Sequence, residues 1–129
     1  MSVHSLLAIS ILALTACSDD GGGGTPDAPR ADAQTSAVME VTCPATPAAT
    51  FTTLAERFDP PTAAITMGQI VKIESTNSTH PVIPIPNDPL SDPDLRVPGG
   101  QTKCFTFLAK RMFKFQCMQH GYAGTLTVN

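Results

Sequence analysis

The sequence predicts an all-β domain of the sandwich or barrel kind over residues 38–129, and three observations predict it. From Val38 the chain breaks into short apolar runs separated by Gly, Pro, Asp and Asn turn signals, the rhythm of small β folds. Two of those runs alternate with the period of a strand. One is Ile70–Ser75; the other is Thr102–Leu108, with Cys104, Thr106 and Leu108 on one side and Lys103, Phe105 and Phe107 on the other. Finally, residues 84–98 set Pro84, Pro86, Pro89 and Pro93 among Asn87, Asp88, Asp92 and Asp94, which predicts a surface loop with no helical option. A length of 129 residues allows one such domain at most.

Two segments precede the domain. Leu6–Leu14 is an apolar run as long as a signal-peptide core and far too short to span a bilayer. It ends in Leu14-Thr15-Ala16-Cys17. Small residues before a cysteine match the bacterial lipoprotein cleavage box. Residues 1–16 are therefore the expected signal peptide, and Cys17 the lipidated first residue of the mature chain. Met1–Ser5 lacks Lys and Arg, so an ordinary signal peptide with Cys17 there by chance is the alternative. The expected location is the bacterial cell envelope, periplasm-facing or at the cell surface, with the lipid holding the protein to a membrane.

Residues 17–37, with Gly21–Gly24, Pro26 and Pro29, bury no core and read as a flexible tether. Asp19, Asp20, Asp27 and Asp32 against Arg30 give them a net charge of −3, the formal charge of the whole chain. From Val38 onward seven acidic and seven basic residues cancel. A neutral domain offers nothing to a nucleic-acid partner.

Within the domain, Val38–Thr42 is the first expected strand. Residues 44–57 show no strand period and read as irregular, with a helical turn over Thr52–Arg57. After Phe58-Asp59-Pro60-Pro61, Thr62–Thr66 and Ile70–Ser75 are strands joined by a turn at Gly68. Val82-Ile83 is a short strand before the 84–98 loop. Gly99-Gly100 turns the chain into Thr102–Leu108, Lys110-Arg111 marks a tight connection, and Met112–Cys117 and Thr125–Val128 close the domain. Met67 and Met112 read as core filler. Lys110, Arg111 and Lys114 read as a solvated turn, with docking of an acidic partner as the other reading.

With Cys17 assigned to lipid, three cysteines remain, and export permits disulfides. Cys43–Cys104 is the economical pairing and leaves Cys117 free. The other pairing, Cys104–Cys117 across neighbouring strands, orphans Cys43.

Cys117-Met118-Gln119-His120 lies between the last two expected strands. A thiolate and an imidazole three residues apart can grip one metal ion. His4 falls in the leader, so His80 and His120 are the histidines of the mature chain. His80 would complete a His₂Cys set, and a soft thiolate with two imidazoles selects copper in both Cu(I) and Cu(II) states. Ligands fixed on separate strands change little when the metal changes charge, which suits electron transfer.

Phe58-Asp59-Pro60, Ile65, Gly68, Val71, His80, Gly99-Gly100, Phe105-Thr106-Phe107, Phe115-x-Cys117-x-x-His120 and Gly124-Thr125-Leu126-Thr127-Val128, in that order, resemble the plastocyanin/azurin-type cupredoxins over about residues 58–129. The resemblance implies a Greek-key β-sandwich. It also implies a single mononuclear copper held by His80, Cys117 and His120, in a monomeric one-electron carrier serving redox partner proteins of the cell envelope. The family places a methionine a few residues after the second histidine. Here that place is taken by Gly121-Tyr122-Ala123-Gly124. Three options follow: three-coordinate copper, a weak approach by a backbone carbonyl or the Tyr122 oxygen, or loss of copper.

An enzyme is not expected. Multicopper oxidases need many more than two histidines, a binuclear copper loop needs a second cysteine beside Cys117, and c-type haem needs one before the histidine. A Cys117–His120 thiol hydrolase has no third group to orient it. Two alternatives to the electron carrier stand: a copper-binding or copper-delivery protein, and a metal-free cupredoxin-like interaction domain.

Overall fold

The structure, a computed structural model, describes residues 35–129. The expected signal peptide, Cys17 and the tether up to residue 34 lie outside the described residues. Nine strands and no helix are present among the described residues: β1 (Val38–Val41), β2 (Ala49–Thr53), β3 (Phe58–Asp59), β4 (Thr62–Ile65), β5 (Ile70–Glu74), β6 (Val82–Pro84), β7 (Thr102–Phe107), β8 (Met112–Cys117) and β9 (Ala123–Val128). They form two sheets, β1-β7-β5-β2-β3 and β4-β9-β8-β6. From β5 to β8 the chain crosses between the sheets at each step, and the result is an all-β, Greek-key sandwich.

Strand alternation builds the interior. Phe113, Phe115 and Cys117 of β8 point inward while Lys114 and Gln116 do not, and Leu126 and Val128 of β9 continue the pattern. All six phenylalanines of the chain are buried, and burying each contributes about 1.5–3 kcal/mol. Phe51, Phe58 and Phe115 meet edge to face, with Phe115 5.0 Å from both partners. Tyr122 extends this column, its ring 5.1 Å from Phe58.

Three expectations are corrected. The stretch read as irregular contains β2, and no helical turn forms at 52–57. Ala49-Thr50-Phe51-Thr52-Thr53 pairs in parallel with β5, Phe51 opposite Ile73, so its partner lies far along the chain and leaves no local signal. The 84–98 loop is only partly superficial. Its Leu95 and Val97 belong to the core, and Asp92 is fully buried, accepting hydrogen bonds from Ser36 Oγ at 2.7 Å and Ala37 N–H at 2.8 Å. Met67 and Met112 are exposed rather than core filler: both lie on the outer surface, where their thioethers fill no gap.

Candidate metal centre

The register of β6 on β8 creates the site. Val82 pairs with Cys117, and Met118 N–H donates to Pro81 O at 2.9 Å. This fastens the segment carrying His80 beside the end of β8. His80 itself is held from behind. Ser75 Oγ donates to His80 O at 2.8 Å and accepts from Gly100 N–H at 2.9 Å. The Gly99-Gly100 turn therefore supports the His80 backbone through one buried serine.

His120 arrives by a tight reversal between β8 and β9. Cys117 N–H donates to Tyr122 O at 3.0 Å, and Gly121 N–H donates to Cys117 O at 2.8 Å. Gly121 sits at φ +70°, where a side chain would be strained. The turn swings His120 back over the cysteine.

His80, Cys117 and His120 thus converge, their ligand atoms all within 4.8 Å of one another. Cys117 Sγ lies 3.7 Å from His80 Nδ1 and 3.5 Å from His120 Nδ1. A tetrahedral ion holding sulfur at about 2.3 Å and imidazole nitrogen at about 2.0 Å sets S···N at about 3.5 Å. Both separations match that edge, and a thiol with two imidazoles is the donor set that suits copper. Cys117 is fully buried and His80 is 6% exposed, whereas His120 faces solvent.

Tyr122 borders the same cluster. Its hydroxyl donates to Leu54 O at 2.5 Å, and its oxygen stands 3.4 Å from His80 Nδ1. Its ring is stacked at 15° to that of His120, 6.0 Å away. Burial, and then the adjacent Cys117 sulfur, push the phenol above its ordinary range, so Tyr122 stays protonated at neutral pH. Neither Leu54 nor Ser75 carries a sequence signal for the site; each acts through tertiary contact alone. Ala123 is exposed and opens β9, and Met118 is 56% exposed.

The cysteine pairing is resolved. Cys43 and Cys104 form a disulfide, and Cys117 is the free cysteine among the described residues. Of the basic group, Arg111 pairs with Asp92 at 3.4 Å and lies over the Phe113 ring, and Lys114 faces Asp88 at 3.8 Å. Internal partners occupy those two charges.

No family model matches the chain, and no curated protein matches it. Solved structures do. Amicyanin from Paracoccus versutus (Thiobacillus versutus) superposes with a TM-score of 0.57 at 13% identity, covering 73% of this chain and 99% of that one. A reduced tryptophan-to-tyrosine variant of amicyanin gives 0.58 at 15% identity, covering 72% and 99%. The reduced Cu(I) form at pH 4 of a proline-to-glycine variant of amicyanin gives 0.57 at 15%, with the same coverage. At these identities the likeness is one of fold, and the fold is that of the cupredoxins.

Proposed function

We propose that the protein is a lipid-anchored, one-electron copper carrier of the bacterial cell envelope. One observation carries the reading: a buried thiol and two imidazole nitrogens meet at metal-ligand spacing inside a cupredoxin sandwich. A neighbour of the same fold is described as a Cu(I) form, which supports copper as the metal. Bound copper would supply one-electron chemistry between Cu(I) and Cu(II).

The chain's own residues do the rest. Cys117 and His80 hold two donors in a dry, strand-anchored frame that resists rearrangement, and His120 brings the third donor to the surface. The exposed His120 edge is where a redox partner protein would approach. Cys17 would carry the lipid, and residues 17–37 would let the domain reach partners as a monomer. We assign no enzymatic activity.

The experiment is addition of Cu(II) to the purified full chain with a visible spectrum recorded. An intense thiolate-to-Cu(II) charge-transfer band, lost in Cys117→Ser, is expected. Colour that survives Cys117→Ser would place the copper elsewhere. Tight Cu(I) binding without the band would favour copper delivery, and no binding of either ion would leave a metal-free interaction domain.

A further inference from the structure

We infer that Tyr122 supplies the fourth donor of the centre, a neutral phenol oxygen in the place where a thioether is missing. The inference rests on the copper reading above and adds a residue to it. It begins with where the tyrosine proton goes. The Tyr122 hydroxyl donates to Leu54 O. With its single hydrogen committed there, the oxygen turns lone pairs toward His80 Nδ1, 3.4 Å away. An ion with nitrogen at about 2.0 Å and oxygen at about 2.1 Å in tetrahedral geometry separates them by about 3.4 Å. The contact therefore has the length of a ligand edge, as the two sulfur–nitrogen contacts do.

The ring has little freedom to withdraw. It meets Phe58 edge to face at 5.1 Å, with His120 stacked beyond it. Tyr122 O is also pinned by Cys117 N–H at 3.0 Å. No side-chain thioether competes for this place among the described residues: the methionines are exposed, Met118 included, and Ala123 offers a methyl group. Leu54 O does a second job by retaining the phenol proton. A phenolate would be a strong, hard donor; the hydrogen-bonded phenol is a weak one. A hard oxygen favours Cu(II) over Cu(I), whereas the thiolate serves both. Tyr122 therefore lowers the reduction potential relative to a site with nothing in that position.

The chain contains one tyrosine, so tyrosine analogues label this position and no other. We would compare the copper-loaded full chain, its Tyr122→Phe variant, and the chain grown with 3-fluorotyrosine. Absorption, Cu(II) electron paramagnetic resonance and reduction potential would be read. Tyr122→Phe keeps the ring against Phe58 and removes the oxygen. It should retain copper, change the Cu(II) hyperfine pattern, and raise the Cu(I)/Cu(II) affinity ratio about tenfold, or about 59 mV for one electron. Fluorination weakens the oxygen donor without emptying the site, and should move the potential the same way by less. If both proteins match the unmodified one in hyperfine pattern and potential, Tyr122 is packing only and the inference is overturned, with copper binding intact. If Tyr122→Phe does not fold, the fluorinated protein alone decides. Absence of copper from the unmodified chain would instead defeat the copper reading itself.

Discussion

His80 and His120 present the same atom, Nδ1, to the same sulfur, yet they differ in their access to water. That difference predicts an asymmetry. In His120→Gly the missing ring leaves a notch open to solvent, and millimolar imidazole should restore the charge-transfer band. In His80→Gly the missing ring leaves a cavity behind the loop, and the same imidazole should restore little or nothing. Equal rescue of both variants in a copper and imidazole titration would show that burial does not separate the two roles. Cys117 and His120 were legible because they sit three apart between two alternating strands. His80 was legible by elimination, as the other histidine beyond the expected leader. The Tyr122–Leu54 contact was not, since it joins residues 68 positions apart through a backbone carbonyl that any residue could offer.

Strands and turns set those atoms in place, and the turn at Gly99 packs closely against neighbouring backbone. A Cβ there would sit 2.7 Å from Ser78 C and 2.8 Å from Ser78 Cα, both backbone atoms that cannot rotate aside. Gly99→Ala must therefore push the 75–80 segment, which the Ser75 hydroxyl links to His80 O. Overpacking of this kind costs about 1–3 kcal/mol, and the displaced backbone carries His80 with it. Urea unfolding and copper affinity should both fall for Gly99→Ala. A stability loss with undiminished affinity would mean that the turn does not position His80. The strands themselves were readable wherever alternation was local, as in β5, β7 and β8. β2 escaped because its buried residues, Phe51 and Thr53, are too few to show a period, and its parallel partner β5 lies some twenty residues on. The Cys43–Cys104 disulfide binds the segment after β1 to β7 across a separation of 61 residues, a closure that in the chain-entropy picture contributes about 4 kcal/mol.

Over the whole sandwich, the strand directions place the candidate metal site and residues 36–38 at opposite ends. Cys117 closes β8, β5 runs toward Ser75 and His80, and β7 starts beside the end of β5, with Thr102 opposite Glu74. Those termini form the site end. β1 runs antiparallel to β7 with Val38 opposite Phe107, so the chain joins the sandwich at the far end. The last residues finish there too, Val128 N–H donating to Arg111 O. Ser36 and Ala37 are clamped at that end by the buried Asp92 carboxylate, which also faces Arg111. If Cys17 carries lipid as proposed, the expected flexible tether would leave the exposed histidine free to meet partners arriving through water. The copper-loaded full chain on lipid vesicles should therefore be reduced by ascorbate, which does not enter the bilayer, as fast as the same chain released by proteolysis within residues 17–37. The charge-transfer band reports both rates directly. A vesicle-bound protein reduced much more slowly than the released one would mean that the tether does not leave His120 open to water.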